Sequence, residues 1–511
     1  MEQSPVVVAR AQNFGENTAI RWGDQAISYA DILKQSSIIA TRLLENCEDL
    51  SEEPILFLAP AGSTYIALLW GIWRAGGIAV PLNVHATLPE MQHCAETVGA
   101  NVILVSDALE EQALALTNRC RLQAIFVDEL LNTEPTSAVD EVDKSFPHLK
   151  ADRRALIIFT SGTTSKPKGV VTTHTNIESQ ITALTNSWGW QDEDRIPLFL
   201  PLHHVHGLIN ILSCALWVGA EVEVFSGAFD QQLVLQGVVD QRWTLFMAVP
   251  TIYIRLIAAI DDASEDLSRQ YCHGFKSMRL MVSGSAALPA SVYGRWEELT
   301  GQQLLERYGM TEIGMALSNP LEGERRPSTV GVPLPGVKLR LVSEDGSVVA
   351  NASEVEGLSG EIQVIGPSVF LEYWNDRDAT SEAFAEDGWF RTGDLAVRED
   401  GYYRILGRMS VDIIKSGGYK LSALEIESVL LDHPKIRECA VIGLPEKVWG
   451  EQVAAVVVLH EVGELTLPIL SAWAEKRISS YKLPRSLYVI DSLPRNAMGK
   501  VLKSELIALF Q

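Results

Sequence analysis

The chain has 511 residues, 47% apolar and 21% charged, a balance typical of folded domains and a length too great for one core, so two or more domains are expected. Its formal net charge of −23 excludes any general attraction to nucleic acid or an anionic membrane, and leaves an anionic ligand to local cations working against the overall field. Six scattered cysteines, Cys47, Cys94, Cys120, Cys214, Cys272 and Cys439, form no C-x-x-C pair, which argues against a disulfide framework or a zinc site and fits reduced thiols. The start, Met1 to Val8, has neither a basic segment nor an Arg/Ser-rich leader, and no apolar run reaches membrane-spanning length. A cytoplasmic chain without membrane insertion is expected, as a monomer or weak homodimer.

Residues 1–150 alternate helix-like and strand-like segments. Tyr29 to Leu44 has helical spacing, Pro54 to Ala59 reads as a strand, and Tyr65 to Gly77 reads as a helix closed by a glycine pair. Val102 to Val105 and Ala124 to Val127 are short strands at α/β spacing, and 131–150 is an acidic surface loop.

Leu156 to Thr160 is a short apolar run that reads as a buried strand, and Gly169-Val170-Val171 reads as another. Between them lies Ser161-Gly162-Thr163-Thr164-Ser165-Lys166-Pro167-Lys168, dense in hydroxyls, glycine and lysine. Such a loop points backbone N–H groups, hydroxyls and a flexible cation at one anion, which is what a nucleotide's phosphates need. It is not a Walker A loop, because Pro167 stands where that motif needs its second glycine. Beyond it, Thr175 to Glu178 fits a capping box, with Ile177, Ile181 and Leu184 on one helical face. Leu198 to Gly207, Leu245 to Arg255 and Arg279 to Pro289 each read as a strand running into a turn with polar residues at its end, the edge of an α/β sheet where ligands sit. Gly388 to Asp394 and Gly401 to Arg408 read as hairpin-rich β structure, and from Val411 about 100 residues carry their own strands and helices. A linker near Arg408–Asp412 separates them.

Glu306-Arg307-Tyr308-Gly309-Met310-Thr311-Glu312 puts an aromatic, a hydroxyl and a carboxylate around a glycine. An adenine ring suits the first, an α-phosphate the second and Mg²⁺ the hard oxygen of the third. Asp394, in Thr392-Gly393-Asp394, suits a vicinal diol. Pro494 to Lys500 places one lysine after a glycine in a C-terminal loop, and Ser416-Gly417-Gly418-Tyr419-Lys420 is a glycine-rich turn.

Taken together and in this order, these stretches resemble the adenylate-forming superfamily of acyl-CoA synthetases, peptide-synthetase adenylation domains and luciferases. The resemblance implies an α/β fold: a large N-terminal domain of α/β subdomains plus a β-rich subdomain over 1–408, and a small, mobile α+β C-terminal domain over 409–511. It implies ATP, Mg²⁺ and coenzyme A as co-substrates and cofactor. The nucleotide would be held by Thr160, Ser161, Gly162, Thr163, Thr164, Ser285, Ala286, Ala287, Glu306, Arg307, Tyr308, Gly309, Met310, Thr311, Asp394 and Arg408. Lys168, Thr311, Glu312 and Lys500 would be catalytic, with Glu312 on Mg²⁺ and Lys500 bridging carboxylate and α-phosphate. Ser416, Gly417, Gly418 and Lys420 would line the CoA tunnel. Ser410 departs from the Asp or Lys usual at the hinge.

The substrate is read from arginines near the acyl pocket. A guanidinium pair holding a second carboxylate selects a short dicarboxylate, and a buried arginine left without an anion rejects monocarboxylates. Leu280 to Gly331 resembles malonyl-CoA synthetases, which makes Arg279, Arg326 and Arg255 the candidate malonate ligands, Arg279 first, with His206 and Val205 as pocket wall. The expected reaction forms malonyl-CoA through malonyl-AMP. A ligase for another short or medium carboxylate, or a loading enzyme for a carrier protein, stays open.

Overall fold

The structure is a computed structural model. It describes residues 5–132, 146–160, 167–225, 227, 229–343, 345–351, 357–417, 419–447, 449–461, 463–495 and 501–510. The fold is mixed α/β, a large N-terminal part followed by a small C-terminal part.

Apolar runs bounded by glycine, proline and polar breakers become strands. Pro54–Leu58 is buried at every position, as befits a strand covered on both faces by helices. It sits inside a seven-stranded sheet ordered Glu372–Tyr373, Lys168–Thr173, Arg154–Thr160, Ile78–Pro81, Pro54–Leu58, Val102–Val105, Gln123–Phe126. The last five run parallel, whereas Lys168–Thr173 returns antiparallel to Arg154–Thr160, and Glu372–Tyr373 pairs antiparallel on the outer edge. Thr160 and Lys168 are the last register pair of that hairpin, so they face each other at the mouth of the loop. Helix Ser63–Arg74 is buried over most of its length, and the Trp73 indole donates to the Ala155 carbonyl at 2.7 Å, locking helix to sheet.

Helix His174–Ser187 follows the hairpin with Ile177, Ile181 and Leu184 buried. Its capping box lies two residues earlier than the sequence suggests. The last strand residue, Thr173, is the cap, accepting the Asn176 N–H while the Asn176 side chain accepts the Thr173 N–H. A second sheet carries the parallel strands Leu245–Ala248, Leu280–Ser283 and Leu305–Met310, extended antiparallel by Gly314–Ser318 and Val332–Pro333. After Leu245–Ala248 the chain turns at once into helix Pro250–Asp261, with proline at its first position, so the run through Arg255 is helical. Likewise Arg195–Leu198 leads into a π-helix, His206–Ser213, buried throughout.

Val348–Asn351, Lys338–Val342, Ser359–Ile365, Phe390–Glu399 and Tyr402–Arg408 make an antiparallel sheet whose core around Ile362, Phe370 and Tyr403 also takes in Val170, Ala316 and Leu317 of the first two sheets. Past Asp412, the hairpin Ile413–Ser416/Tyr419–Ser422 and the long pair Ile436–Glu446/Gly450–Leu459 enclose separate cores built only from this end of the chain. Asp412 spans the junction: one carboxylate oxygen accepts the Arg408 N–H at 3.0 Å, and the other meets Lys503 Nζ at 2.6 Å. Lys503 also holds Glu427 at 2.6 Å, so a nearly buried ammonium sits between two carboxylates.

Candidate active site

Side chains from the two sheets and the antiparallel subdomain meet near the strand ends, Tyr308 with Asp394 and Glu312 with Tyr373 beside Lys168, and such edges are where open α/β sheets bind ligands. The Tyr308 hydroxyl donates to Asp394 Oδ2 at 2.5 Å, and Arg408 Nε meets Asp394 Oδ1 at 2.9 Å. Thr392 builds this corner, accepting the Asp394 N–H at 3.1 Å and donating to the Ile362 carbonyl at 2.7 Å. The Asp394 carboxylate is thus fixed in orientation by donors on both oxygens.

Glu312 ends the same segment. It is buried, burial pushes its carboxyl pKa up, and the Tyr373 hydroxyl, donating to Oε1 at 2.9 Å, pulls it back. Lys168 Nζ lies 5.0 Å from the centre of the Tyr373 ring. Among the described residues no group of three or more His, Cys, Asp or Glu gathers as a metal site. One buried hard carboxylate, held through Tyr373 near Lys168, fits Mg²⁺, which takes one or two carboxylates and completes its shell with phosphate oxygens and water.

Arg307 has the most unusual surroundings. It is buried, and its Nε and Nη2 atoms find no hydrogen-bond partner among the described residues. Burial pulls its pKa down to about 10, so it stays charged at neutral pH. A Cβ at Gly284 would lie 2.4 Å from the Arg307 Cζ, so glycine there makes room for the guanidinium. His206 Nδ1 is 3.1 Å from Ser285 Oγ, and its Nε2 is also buried without a partner. Desolvation first, then Arg307, then His204 hold the His206 pKa well below its usual range, so the ring is neutral. Ser285 holds a positive φ of 68° without being glycine, a strain that marks functional turns. Arg307, His206 and Ser285 thus bring buried polar atoms without hydrogen-bond partners among the described residues near one strained turn, and such atoms are costly unless something pairs with them.

The other predicted arginines lie elsewhere. Arg279 precedes Leu280–Ser283, at the N-terminal end of a parallel strand and roughly 13 Å from the ligand edge at strand rise. Its guanidinium is taken by buried Asp194, with Nε to Oδ1 at 2.7 Å and Nη2 to Oδ2, and by the Trp188 carbonyl at 3.1 Å. Arg326 pairs with Glu324 at 3.0 Å and covers the Tyr402 ring, and Arg255 is exposed over Phe229. These are structural pairs that the many acidic and aromatic residues make available. The Glu306 carboxyl is buried, its Oε1 accepts the Ser328 N–H at 3.1 Å, and burial pushes its pKa up to about 8. Ser161, Gly162, Thr163, Thr164, Gly418 and Lys500 lie outside the described residues. In the C-terminal hairpin, Gly417 donates to the Trp449 carbonyl at 2.9 Å, and a Cβ there would lie 2.4 Å from the Trp449 ring; Lys420 registers opposite Lys415.

Against known families, the AMP-binding enzyme model matches residues 7–374. The chain belongs to the AMP-binding enzymes. The AMP-binding enzyme C-terminal domain matches 425–500. This AMP-binding enzyme is 42% identical to a mitochondrial malonate–CoA ligase, ACSF3, of Xenopus laevis over 99% of its own length and 92% of the relative's. It is 38% identical to a malonate–CoA ligase of Arabidopsis thaliana over 99% and 88%. ATP-bound MatB from Rhodopseudomonas palustris has the same fold, with a TM-score of 0.87 and 30% identity over 99% of both chains.

The sequence reading places Arg307 with the nucleotide but gives no sign of its burial with Nε and Nη2 unpartnered among the described residues beside Gly284. The available signal was a charged residue beside Tyr308 on a strand, Leu305–Met310, whose first three positions are buried.

Proposed function

We infer that this chain is an ATP-dependent malonate–CoA ligase, and that Arg307 with His206 and Ser285 takes the carboxylate of malonate that does not react. A buried guanidinium with unused N–H groups beside a neutral imidazole supports the reading, because a second carboxylate supplies the missing acceptors. The reacting carboxylate oxygen attacks the α-phosphorus of ATP and pyrophosphate leaves, giving malonyl-AMP. The CoA sulfur, its proton released to solvent, then attacks the acyl carbon and AMP leaves.

In this reading Tyr308, Asp394, Arg408, Thr160 and Ser161 to Thr164 hold ATP, with Ser285, Ala286 and Ala287 as the adenine-side strip and Gly309 and Met310 as the turn beside it. Lys168, Thr311 and Lys500 meet phosphate charge as it develops, and Glu312 holds Mg²⁺, which when bound neutralises phosphate oxygens. No protein nucleophile is needed, and catalysis is orientation and charge stabilisation. Residues 1–408 together with Lys500 carry the first half-reaction, and 409–511 then swing so that Ser416, Gly417, Gly418 and Lys420 pass pantetheine in the second. Among the described residues no helix is long and apolar enough to cross a membrane. The six cysteines are free and suit a reducing compartment such as the cytoplasm, although the Xenopus relative is named mitochondrial. We propose a monomer or weak homodimer, feeding malonyl groups to fatty acid metabolism.

The test is pyrophosphate release with ATP and CoA, comparing malonate, methylmalonate, succinate, acetate and octanoate. Selective malonate turnover supports the reading. Faster turnover of acetate or octanoate overturns the dicarboxylate and keeps the ligase, and transfer to a phosphopantetheinyl protein in place of CoA moves the chain to a loading enzyme.

A further inference from the structure

We propose that Tyr373 is a positioning residue that sets two groups of the nucleotide site from opposite parts of one side chain: its hydroxyl aims Glu312, and its ring carries Lys168. The inference rests on the ATP-binding reading above and goes beyond it, since Tyr373 belongs to none of the motifs from which that site was assembled.

The geometry is local and specific. Glu372–Tyr373 is a two-residue edge strand on the phosphate hairpin, with Tyr373 registered opposite Val170. The flanking chain reinforces that contact. Leu371 donates to the Val171 carbonyl at 2.9 Å, and Trp374 to the Gly169 carbonyl at 2.8 Å. One residue earlier, Phe370 donates its N–H to the Glu312 carbonyl at 2.7 Å. Five consecutive residues therefore tie the backbone of Glu312 to the strand that carries Lys168, and Tyr373 repeats the link at side-chain level.

Each half of the side chain has its own task. A carboxylate buried with one oxygen fixed by a phenol O–H presents its other oxygen in one orientation, which a small cation of strict geometry requires. A lysine on a flexible stem beside a ring face loses part of its freedom before the phosphate arrives, by cation–π attraction. Packing holds the ring itself, since Phe370 lies edge-on at 4.8 Å. The backbone of Tyr373 is held too, its N–H donating to Thr380 Oγ1 at 3.0 Å. The ring thus keeps its place when the hydroxyl is removed.

Two substitutions separate the halves. Y373F keeps the ring and loses the hydroxyl, and Y373L loses both. Binding of a non-hydrolysable ATP analogue is measured by titration calorimetry in EDTA and in excess Mg²⁺, with circular dichroism confirming the fold. In Y373F, metal-free affinity is expected to match wild type, while the gain on adding Mg²⁺ shrinks about three- to tenfold. In Y373L, metal-free affinity is expected to fall as well, about threefold or more, because Lys168 has lost its platform. A full Mg²⁺ gain in Y373F overturns the hydroxyl role, and unchanged metal-free affinity in Y373L overturns the ring role. Equal losses in EDTA and Mg²⁺ for Y373F reduce Tyr373 to packing and overturn both. If wild type does not bind the analogue at all, the nucleotide reading fails together with the inference, and if it binds with no Mg²⁺ gain, the hydroxyl role falls while nucleotide binding stands. A wild-type gain that Y373F keeps sinks the inference alone.

Discussion

Arg307→Met is the substitution that separates a substrate anchor from a structural arginine. Met fills much of the same volume and needs no hydrogen-bond partners, so the pocket between Gly284 and His206 stays packed. In the free enzyme the guanidinium is buried with Nε and Nη2 unpartnered among the described residues, and burial pulls its pKa down to about 10, so its charge is desolvated without compensation. Removing that charge is therefore expected to leave the melting temperature unchanged or raise it. Bound malonate reverses the balance, because its second carboxylate pairs with the guanidinium where water is excluded. Truncating one partner of such a pair costs about 2–5 kcal/mol, so kcat/KM for malonate should fall by about two to three orders of magnitude. Acetate and propionate should turn over as well as in wild type or better, since the variant no longer leaves a buried charge unpaired against them. Pyrophosphate release and thermal unfolding on one preparation give both quantities. Malonate kcat/KM within a few-fold of wild type, or a large loss of stability, would refute the anchor role.

Arg279→Ala should do the opposite: stranding the buried Asp194 carboxylate costs about 3–5 kcal/mol in unfolding experiments, while the malonate-to-acetate ratio stays that of wild type. Gly284→Ala places a methyl 2.4 Å from the Arg307 Cζ, so the guanidinium must move, and malonate KM should rise more than that for ATP in steady-state assays. Glu306, pushed up to about 8 from 4.5, binds its proton more tightly folded than unfolded. Stability is then lost as pH rises between those two values, by up to a few kcal/mol. Glu306→Gln should flatten the melting temperature between pH 5.5 and 8.5, and an unchanged slope would contradict this.

Much of the fold is legible in the sequence because it is written in local terms. Pro54–Leu58 is an uninterrupted apolar run, and Ile177, Ile181 and Leu184 recur at helical spacing, so periodicity alone places strand and helix. The hairpin closing at Thr160 and Lys168 and the Tyr308 to Glu312 stretch are legible for a related reason, since the groups a nucleotide would need stand close together in the chain there. Boundaries fare less well. Pro250 opens a helix that alternation reads as the end of a strand, and Thr173 takes a cap role that Thr175 suggests equally well.

The identity of the anchoring arginine is not a local property. Arg307 sits on a strand of the second sheet and Arg279 immediately precedes the strand beside it. What separates them is which end of the parallel strand each occupies, and which distant carboxylate reaches it. Asp194 finds Arg279 across 85 residues, whereas no described carboxylate pairs with Arg307 and Gly284 clears a space for it. A chain with 65 acidic residues supplies partners for almost any exposed arginine. An arginine kept buried without one is costly, and that cost makes sense when the missing carboxylate belongs to the substrate.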